Sequence, residues 1–377
     1  MPSKRAMETT PFAAMDVLEK AEQLDDVVDL SVGEPDFEPP AIATEAAIDS
    51  LANGSVNYTN ARGKTSLREA ISAYYDREYG VDVPIERIHV TPGSSPALLM
   101  VMLDVVDPGG EVVLTDPYYA PYPNFVRQAE GRTKTVDLNP ENGFQPDLAA
   151  FEAAVGRDTQ GLLINSPANP TGAVMDADAI EGLANLATRT DTRLIADEIY
   201  HGLDFDAEAH SVLEYTDEAF VLDGVSKRYG MTGWRLGWIV SPPGETEAVN
   251  RLVQNFLICA PNHVQDGAEV AIKEGDGLAE IRSVYRERRD LLLDGVRELG
   301  LDLGYTPAGA YYLLLDVSEL PGDAFEVADR LLEEAGVALT PGPDFGSQTE
   351  DMLRASFAAS TTDIEEAIAR LQASLGD

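Results

Sequence analysis

Short apolar runs and longer amphipathic segments alternate through the middle of the chain. Runs bounded by turn-forming residues are typical of buried strands, whereas apolar positions three and four apart are typical of helices. The pattern predicts strands at Ile88–Thr91, Glu111–Thr115, Thr133–Asp137, Gly161–Asn165, Arg193–Ala196, Ala219–Asp223 and Leu236–Ser241. It predicts helices between them at Pro96–Val106, Tyr122–Ala129 and Ala177–Thr190. This alternation predicts an α/β fold with a mostly parallel sheet sandwiched by helices.

The last third of the chain has a different pattern. It predicts a long charged helix, then two strands and two helices, near Gly267–Leu299, Tyr311–Leu315, Arg354–Phe357, Phe325–Ala335 and Thr362–Leu375. This mixture is typical of a smaller α+β domain. The segment up to about Pro39 is too short to form a domain, so we expect it to pack against the smaller one. We predict a large domain over residues 39–266 and a small domain built from residues 1–38 together with 267–377.

Composition narrows the classes of function. The chain has 377 residues, of which 44% are hydrophobic, and its 27 Lys and Arg against 66 Asp and Glu give a formal charge of −39. Nucleic acids and anionic membranes bind proteins rich in Lys and Arg, so neither is an expected partner. One cysteine and four histidines argue against a disulfide or a zinc site. With no apolar run long enough for a membrane helix and no signal-peptide pattern, we expect a soluble cytoplasmic protein.

The negative charge arises mainly from a loss of lysine. Charged residues make up an ordinary 25% of the chain, but its only lysines are Lys4, Lys20, Lys64, Lys134, Lys227 and Lys273. In dilute buffer such a charge strains the fold by self-repulsion, whereas at about 1 M salt the Debye length is only about 3 Å. We therefore hypothesise a halophilic protein from a salt-rich cytoplasm. The alternative is an ordinary, very soluble acidic enzyme.

Polar and glycine-rich segments follow directly after the predicted strands. They are Pro92–Pro96, Asp116–Tyr119, Ser166–Gly172, Asp197–Tyr200 and Gly224–Lys227, with Arg235 shortly after the last. Ligands of open parallel sheets bind at this edge, and the Gly93-Ser94-Ser95 turn before a helix favours a phosphate. Lys227 remains in a chain that has lost most of its lysines. This indicates chemistry that needs a primary amine, since arginine does not form a Schiff base.

The segment Gly224–Gly237, GVSKRYGMTGWRLG, resembles the pyridoxal-phosphate attachment motif of the class I/II aminotransferases. Further segments match this family in order, at Val32–Phe37, Asn169–Gly172, Asp197–Tyr200 and Arg354–Phe357. The resemblance covers nearly the whole chain and places it in fold type I, the aspartate aminotransferase superfamily. It implies a homodimeric enzyme that moves an amino group between an amino acid and a 2-oxo acid by a ping-pong Schiff-base mechanism with pyridoxal 5'-phosphate.

The resemblance also implies roles for individual residues. Lys227 would form the Schiff base and carry the proton, Asp197 would pair with the pyridine nitrogen, and Tyr200 would bond the ring 3-oxygen. Tyr119 would stack on the ring, and Asn169 would reach the same oxygen as Tyr200. The phosphate would be held by Ser94, Ser95, Ser226 and Arg235, with Tyr58 reaching across from one subunit to the phosphate of the other. Substrate would bind at Gly33, Asn169 and Arg354, with the Arg354 fork on the α-carboxylate.

Several alternatives stay open. Tyr58 and Tyr119 could instead be ordinary aromatic residues of the core, and Arg354 could instead pair with a surface carboxylate. For Ser226, a role in binding phosphate and a purely structural role are equally favoured. Ser95 stands where relatives with dicarboxylic substrates carry a lysine, which disfavours strict use of aspartate. No role is assigned to Cys259 or His263.

Two other classes of function use the same features. A lyase, decarboxylase or cyclising enzyme would use the same lysine and aspartate on the same scaffold. The ligand-sensing domain of a transcription regulator is the other, but it needs a basic DNA-binding segment before the large domain. The roughly 38 residues that precede the predicted large domain are not basic.

The salt hypothesis predicts that the free energy of unfolding rises between low and molar KCl, because screening removes self-repulsion. Urea titrations at each salt concentration measure it. A stability that stays flat or falls with KCl supports the ordinary acidic enzyme instead.

Overall fold

The computed structural model describes residues 2–275 and 277–375. Its helices are α1 (Lys4–Glu8), α2 (Ala13–Ala21), α3 (Ala41–Ala52), α4 (Thr65–Tyr79), α5 (Ser94–Val105), α6 (Tyr122–Gln128), α7 (Leu148–Ala154), α8 (Ala177–Thr190), α9 (Thr246–Phe256), α10 (Asn262–Glu274), α11 (Leu278–Glu298), α12 (Ala324–Arg330) and α13 (Thr361–Leu375). Its strands are β1 (Val28–Asp29), β2 (Ile88–Thr91), β3 (Glu111–Asp116), β4 (Arg132–Asp137), β5 (Thr159–Asn165), β6 (Arg193–Asp197), β7 (Ala219–Gly224), β8 (Gly237–Val240), β9 (Tyr312–Asp316), β10 (Val337–Ala338), β11 (Thr340–Pro341) and β12 (Met352–Ser356).

A mixed sheet forms the centre of the fold. Its strand order in the described residues is β2-β8-β7-β6-β5-β3-β4, and β8 alone runs antiparallel to its neighbours. Every strand predicted for this sheet is present, with ends that shift by at most two residues. The predicted α/β fold is confirmed.

Successive residues of the central strands enter two different cores. Val113 and Leu162 pack in one hydrophobic cluster, whereas their neighbours Val112 and Leu163 pack in the cluster on the opposite face. Such two-sided burial is expected where helices cover both faces of a parallel sheet. Buried polar side chains lie where three of these strands end, at Asp116, Asn165 and Asp197.

A second group of elements contains residues from both ends of the chain. Strands β11, β12 and β9 form an antiparallel sheet, and β1 pairs in parallel with β10, Val28 opposite Val337. A hydrophobic cluster joins Val28 and Leu30 to residues of α11 and α13. The domain boundaries given above stay a prediction. Residues 5–10 contact α6 rather than this group, through Arg5 to Glu130 at 2.8 Å and the Thr10 N–H to Asn124 at 3.1 Å.

Two details of the predicted helices are wrong. The long helix over Gly267–Leu299 is two helices, α10 and α11, because the backbone leaves the helical region at Gly275 (ψ 127°) and Gly277 is left-handed with φ 85°. Residues 273–277, KEGDG, contain two glycines and no large apolar side chain, which is a turn signal that the prediction of one helix overlooked. Helix α5 begins at Ser94 and not at Pro96. The two serines predicted to lie in a turn therefore form the first residues of the helix.

No helix of the described residues is both long enough and apolar enough to cross a bilayer.

Candidate active site

A cavity of about 280 Å³ opens at the carboxyl ends of the central strands. The predicted site residues that line it are Gly33, Ser94, Ser95, Tyr119, Asn169, Asp197, Tyr200, Ser226, Lys227, Arg235 and Arg354. Tyr58 does not line it and is 82% exposed. That exposure rules out Tyr58 as a core aromatic of its own chain.

Lys227 follows β7 and projects its amine into this cavity. Its Nζ donates a hydrogen bond to the Gly33 carbonyl at 2.6 Å and lies 5.8 Å from the ring centroids of Tyr200 and Tyr311. Burial, with a smaller contribution from the cations of Arg354 and Arg235, lowers the pKa of Lys227 to about 8, although the charges of Glu34 and Asp197 oppose the shift. About a tenth of the amine is therefore neutral at pH 7, far more than for a free lysine. Lys227 is thus a ready nucleophile.

Asp197 ends β6 and is buried at the floor of the cavity. The Tyr122 hydroxyl donates to its Oδ2 at 2.8 Å, and the Ile199 N–H donates to its Oδ1 at 3.3 Å. Burial raises the pKa of Asp197 to about 6, while these two hydrogen bonds and the charge of Lys227 act in the opposite direction. The carboxylate is ionised at neutral pH, so it is suited to hold a cationic N–H group of a ligand.

Asn165 and Asn169 connect the carboxylate to the rest of the site. The Asn165 amide donates to the Asp197 backbone carbonyl at 2.7 Å, and its oxygen accepts from the Asn169 N–H at 2.8 Å. The parallel pairing of β5 with β6 places Asn165 opposite Asp197. Two segments that lie far apart in sequence are thereby held in fixed geometry.

Arg354 lies on β12 and is only 2% exposed. Its Nη1 donates to the Asn169 side chain at 2.9 Å, its Nη2 donates to the Ser31 carbonyl at 2.6 Å, and its guanidinium lies 4.4 Å from the Tyr312 ring centroid. Within the described residues, its buried Nε has no hydrogen-bond partner. These contacts exclude the alternative of a surface carboxylate partner. A buried guanidinium with an unused N–H fits a carboxylate ligand.

Helix α5 points its N-terminus into the cavity. Ser94 and Ser95 are its first residues, and their N–H groups have no carbonyl partner within the helix. Gly93 has φ 99°, and a Cβ there would collide with the Arg235 guanidinium. Only glycine therefore lets Arg235 lie against the start of the helix. The helix dipole and the cation together form an anion site.

The donor set fits pyridoxal phosphate. A reactive amine faces a buried carboxylate that suits a protonated ring nitrogen, and the helix start with Arg235 suits a phosphate. The Arg235 guanidinium lies where a Cβ of residue 93 would be. The lack of a side chain at Gly93 therefore lets this cation reach the start of α5, where a phosphate would bind. The unused Nε of Arg354 is left for a second anion.

Sequence reasoning assigned no role to several residues of the cavity. They are Phe12, Met15, Glu34, Tyr122, Asn165, Thr232 and Tyr312. Tyr122 had a weak signal, since it follows closely after the predicted site residue Tyr119 and begins helix α6. Tyr312 had none, because an aromatic residue in a buried strand is ordinary. Its hydroxyl lies 2.8 Å from that of Tyr200.

Comparison with known proteins agrees with this geometry. The family model described as aminotransferase class I and II matches residues 25–371. The aspartate/prephenate aminotransferase of Thermus thermophilus is 37% identical over 99% of this chain and 98% of that protein. The (5-formylfuran-3-yl)methyl phosphate transaminase of Methanocaldococcus jannaschii is 36% identical over 99% of each chain. The solved structure of Thermus thermophilus aspartate aminotransferase with maleate has a TM-score of 0.94, 36% identity and 98% coverage of each chain.

Proposed function

This chain belongs to the class I and II aminotransferase family, and on that premise we propose how its own residues carry out amino-group transfer. The enzyme depends on pyridoxal phosphate and moves an amino group between an amino acid and a 2-oxo acid. The observation that carries the assignment of roles is the convergence of Lys227, Asp197, Arg235 and Arg354 on one cavity. Each of these groups has a charge or a protonation state suited to a different part of the reaction.

When bound, pyridoxal phosphate supplies an aldehyde that combines with amino groups and a ring that takes up the electron pair from the substrate Cα. Lys227 is the residue that would bond this aldehyde between turnovers. With substrate in its place, the free amine would take the proton from the substrate Cα and deliver it to the aldehyde carbon of the cofactor. A pKa of about 8 keeps this amine near the balance between base and acid at working pH.

Asp197 keeps a proton on the ring nitrogen. Its carboxylate is oriented by the Tyr122 hydroxyl at 2.8 Å and is buried away from water, so the ion pair with a ring N–H is strong. Tyr200 and Asn169 would bond the ring 3-oxygen, and Tyr119 would stack on the ring. The Tyr119 and Tyr122 rings pack edge to face with centroids 5.3 Å apart, and this contact holds the Tyr119 ring in its orientation.

The phosphate binds at the start of α5, where Ser94, Ser95 and Arg235 meet, with Ser226 beside them. Arg354 binds the substrate α-carboxylate, and the Asn169 side chain holds its guanidinium in place. The Gly33 carbonyl lies at the same end of the cavity, where the Tyr311 hydroxyl donates to it at 2.9 Å. The two anionic ends of the reacting system are thus held by separate cations.

The active unit that we propose is a homodimer. Large apolar side chains are exposed on one surface, which we call the apolar patch: Ile42, Ile48, Leu51, Val56, Tyr58, Phe256 and Ile258. Two contacts connect the segments that carry these residues: the Asn262 side chain donates to the Asn57 carbonyl at 3.1 Å, and α3 packs on α10. A patch of this kind marks an interface, and a two-fold dimer is the commonest arrangement. Tyr58 lies within it, as a residue that reaches the partner's phosphate requires. The cytoplasmic and halophilic assignments stay predictions.

The proposed chemistry predicts a limited reaction when an amino acid is added without any 2-oxo acid. One equivalent of product 2-oxo acid forms per active site, and turnover then stops until a 2-oxo acid is supplied. Lys227→Ala abolishes both the visible absorbance of bound cofactor and turnover. The matched variant Lys134→Ala, on the exposed strand β4, retains both. Continuous release of product without a 2-oxo acid would instead identify a lyase or decarboxylase.

The proposed dimer predicts that Val56→Asp, at a site 73% exposed within the apolar patch, yields monomers in sedimentation experiments. Burial of an unpaired carboxylate at the interface opposes association. The monomer also retains less cofactor, because it lacks Tyr58 from the partner. Met7→Asp, at a site 70% exposed outside the patch, leaves the assembly unchanged. A Val56→Asp protein with wild-type mass and cofactor content contradicts the assignment of this surface.

A further inference from the structure

The cations that line the cavity are all used by the proposed function. Among the described lining residues they are Lys227, Arg235 and Arg354. Lys227 holds the aldehyde, Arg235 the phosphate and Arg354 the α-carboxylate. No lysine or arginine of the lining is left for a second carboxylate on the substrate.

The rest of the lining includes a continuous set of apolar side chains. They are Phe12, Ala14, Met15, Leu18, Val32 and Leu98. Four of the six lie on or directly before helix α2, so one short element supplies most of this apolar wall. The wall has no acid or base of its own.

Helix α2 is held against the site by specific contacts. The Ala13 N–H at its start donates to Asp344 at 2.8 Å, and the ring of Phe12 meets Tyr119 edge to face with centroids 6.0 Å apart. Phe345, which follows Asp344, lies 4.8 Å from the Arg354 guanidinium. The apolar wall therefore lies close to Arg354, the group assigned to the α-carboxylate.

We infer that the amino donor of this enzyme is an α-amino acid with a large apolar side chain, such as leucine, methionine or phenylalanine. The inference rests on the proposed function and specifies its substrate class. An apolar side chain loses water on entry and gains contact with the wall formed by α2. A side-chain carboxylate loses its hydration at the same place and meets no cation in return.

The acidic residues of the cavity do not redirect this preference to basic amino acids. Glu34 accepts a hydrogen bond from the Thr232 hydroxyl, and Thr232 in turn holds Arg235 through its backbone carbonyl at 2.8 Å. Glu34 is therefore turned toward the phosphate end and not toward α2. Asp197 is occupied by Tyr122 and the ring nitrogen.

The surface proposed to contact the partner subunit is mainly apolar, like the wall of the cavity. Residues 255–263, at one edge of the apolar patch, contain Phe256 and Ile258 and no lysine or arginine. A partner subunit that presents this segment to the cavity adds apolar side chains together with asparagine and histidine, and no lysine or arginine. The dimer is thus expected to preserve the preference.

The test uses the holoenzyme in molar KCl and single amino acids without a 2-oxo acid, followed through the cofactor's visible absorbance. We expect kcat/KM for leucine, methionine or phenylalanine to exceed that for aspartate, glutamate and lysine by about a hundredfold. Aspartate, glutamate or lysine reacting as fast as the best apolar donor overturns the inference. If no amino acid alters the absorbance of bound cofactor, the proposed function itself fails.

Introducing a positive charge into the apolar wall tests its role directly. Met15→Lys places a cation on α2 at a site 55% exposed, where the helix tolerates either residue. It is expected to raise kcat/KM for aspartate about tenfold and to lower that for leucine. Met7→Lys, on α1 and outside the cavity, changes neither. Equal effects of the two substitutions, or no gain for aspartate in Met15→Lys, contradict a substrate side chain that lies against α2.

Discussion

Burial of the Lys227 amine is the constraint on which the rest of the site depends. A fully solvated lysine is almost entirely protonated at neutral pH, whereas burial in the field of Arg354 and Arg235 brings its pKa to about 8. The ammonium form still needs an acceptor, which the Gly33 carbonyl supplies at 2.6 Å. Gly33 must be glycine, because a Cβ would overlap the Tyr312 hydroxyl. One amine therefore constrains three parts of the chain: the tyrosines around it (Tyr200, Tyr311 and Tyr312), the N-terminal segment that contains Gly33, and the segment after β7.

The strongly acidic chain makes this concentration of positive charge informative. Lys4, Lys20, Lys64 and Lys273 each form an ion pair with a carboxylate, whereas Lys227 forms none within the described residues. Exposed pairs of this kind add little stability and are weakened by salt. The cations of the cavity donate hydrogen bonds to neutral oxygens instead, so their charge remains for anionic ligands. The chain as a whole has a formal charge of −39, and the cluster of cations in the site is an exception to it.

The sequence predicted the central sheet well, because strands buried on both faces appear as short apolar runs with clear ends. The site could also be predicted, since residues directly after parallel strands converge at one edge; Asn165 and Asp197 are register partners. The break between α10 and α11 was missed, because the two glycines within residues 273–277 were given less weight than the helical patterns on either side. The contribution of Phe12 and Met15 was missed for a different reason. Their position depends on how α2 docks through Ala13 and Asp344, a contact between residues more than 300 positions apart.

The central claim is that Lys227 alone bonds the cofactor, and chemical trapping tests it most directly. Borohydride reduction of the holoenzyme converts the carbon–nitrogen double bond between cofactor and lysine to a stable single bond, and peptide mass mapping then locates it. We expect one cofactor per chain, attached to the peptide that contains Lys227. Attachment to Lys64, Lys134 or any other lysine, or no attachment to a protein that retains its visible absorbance, would contradict the account.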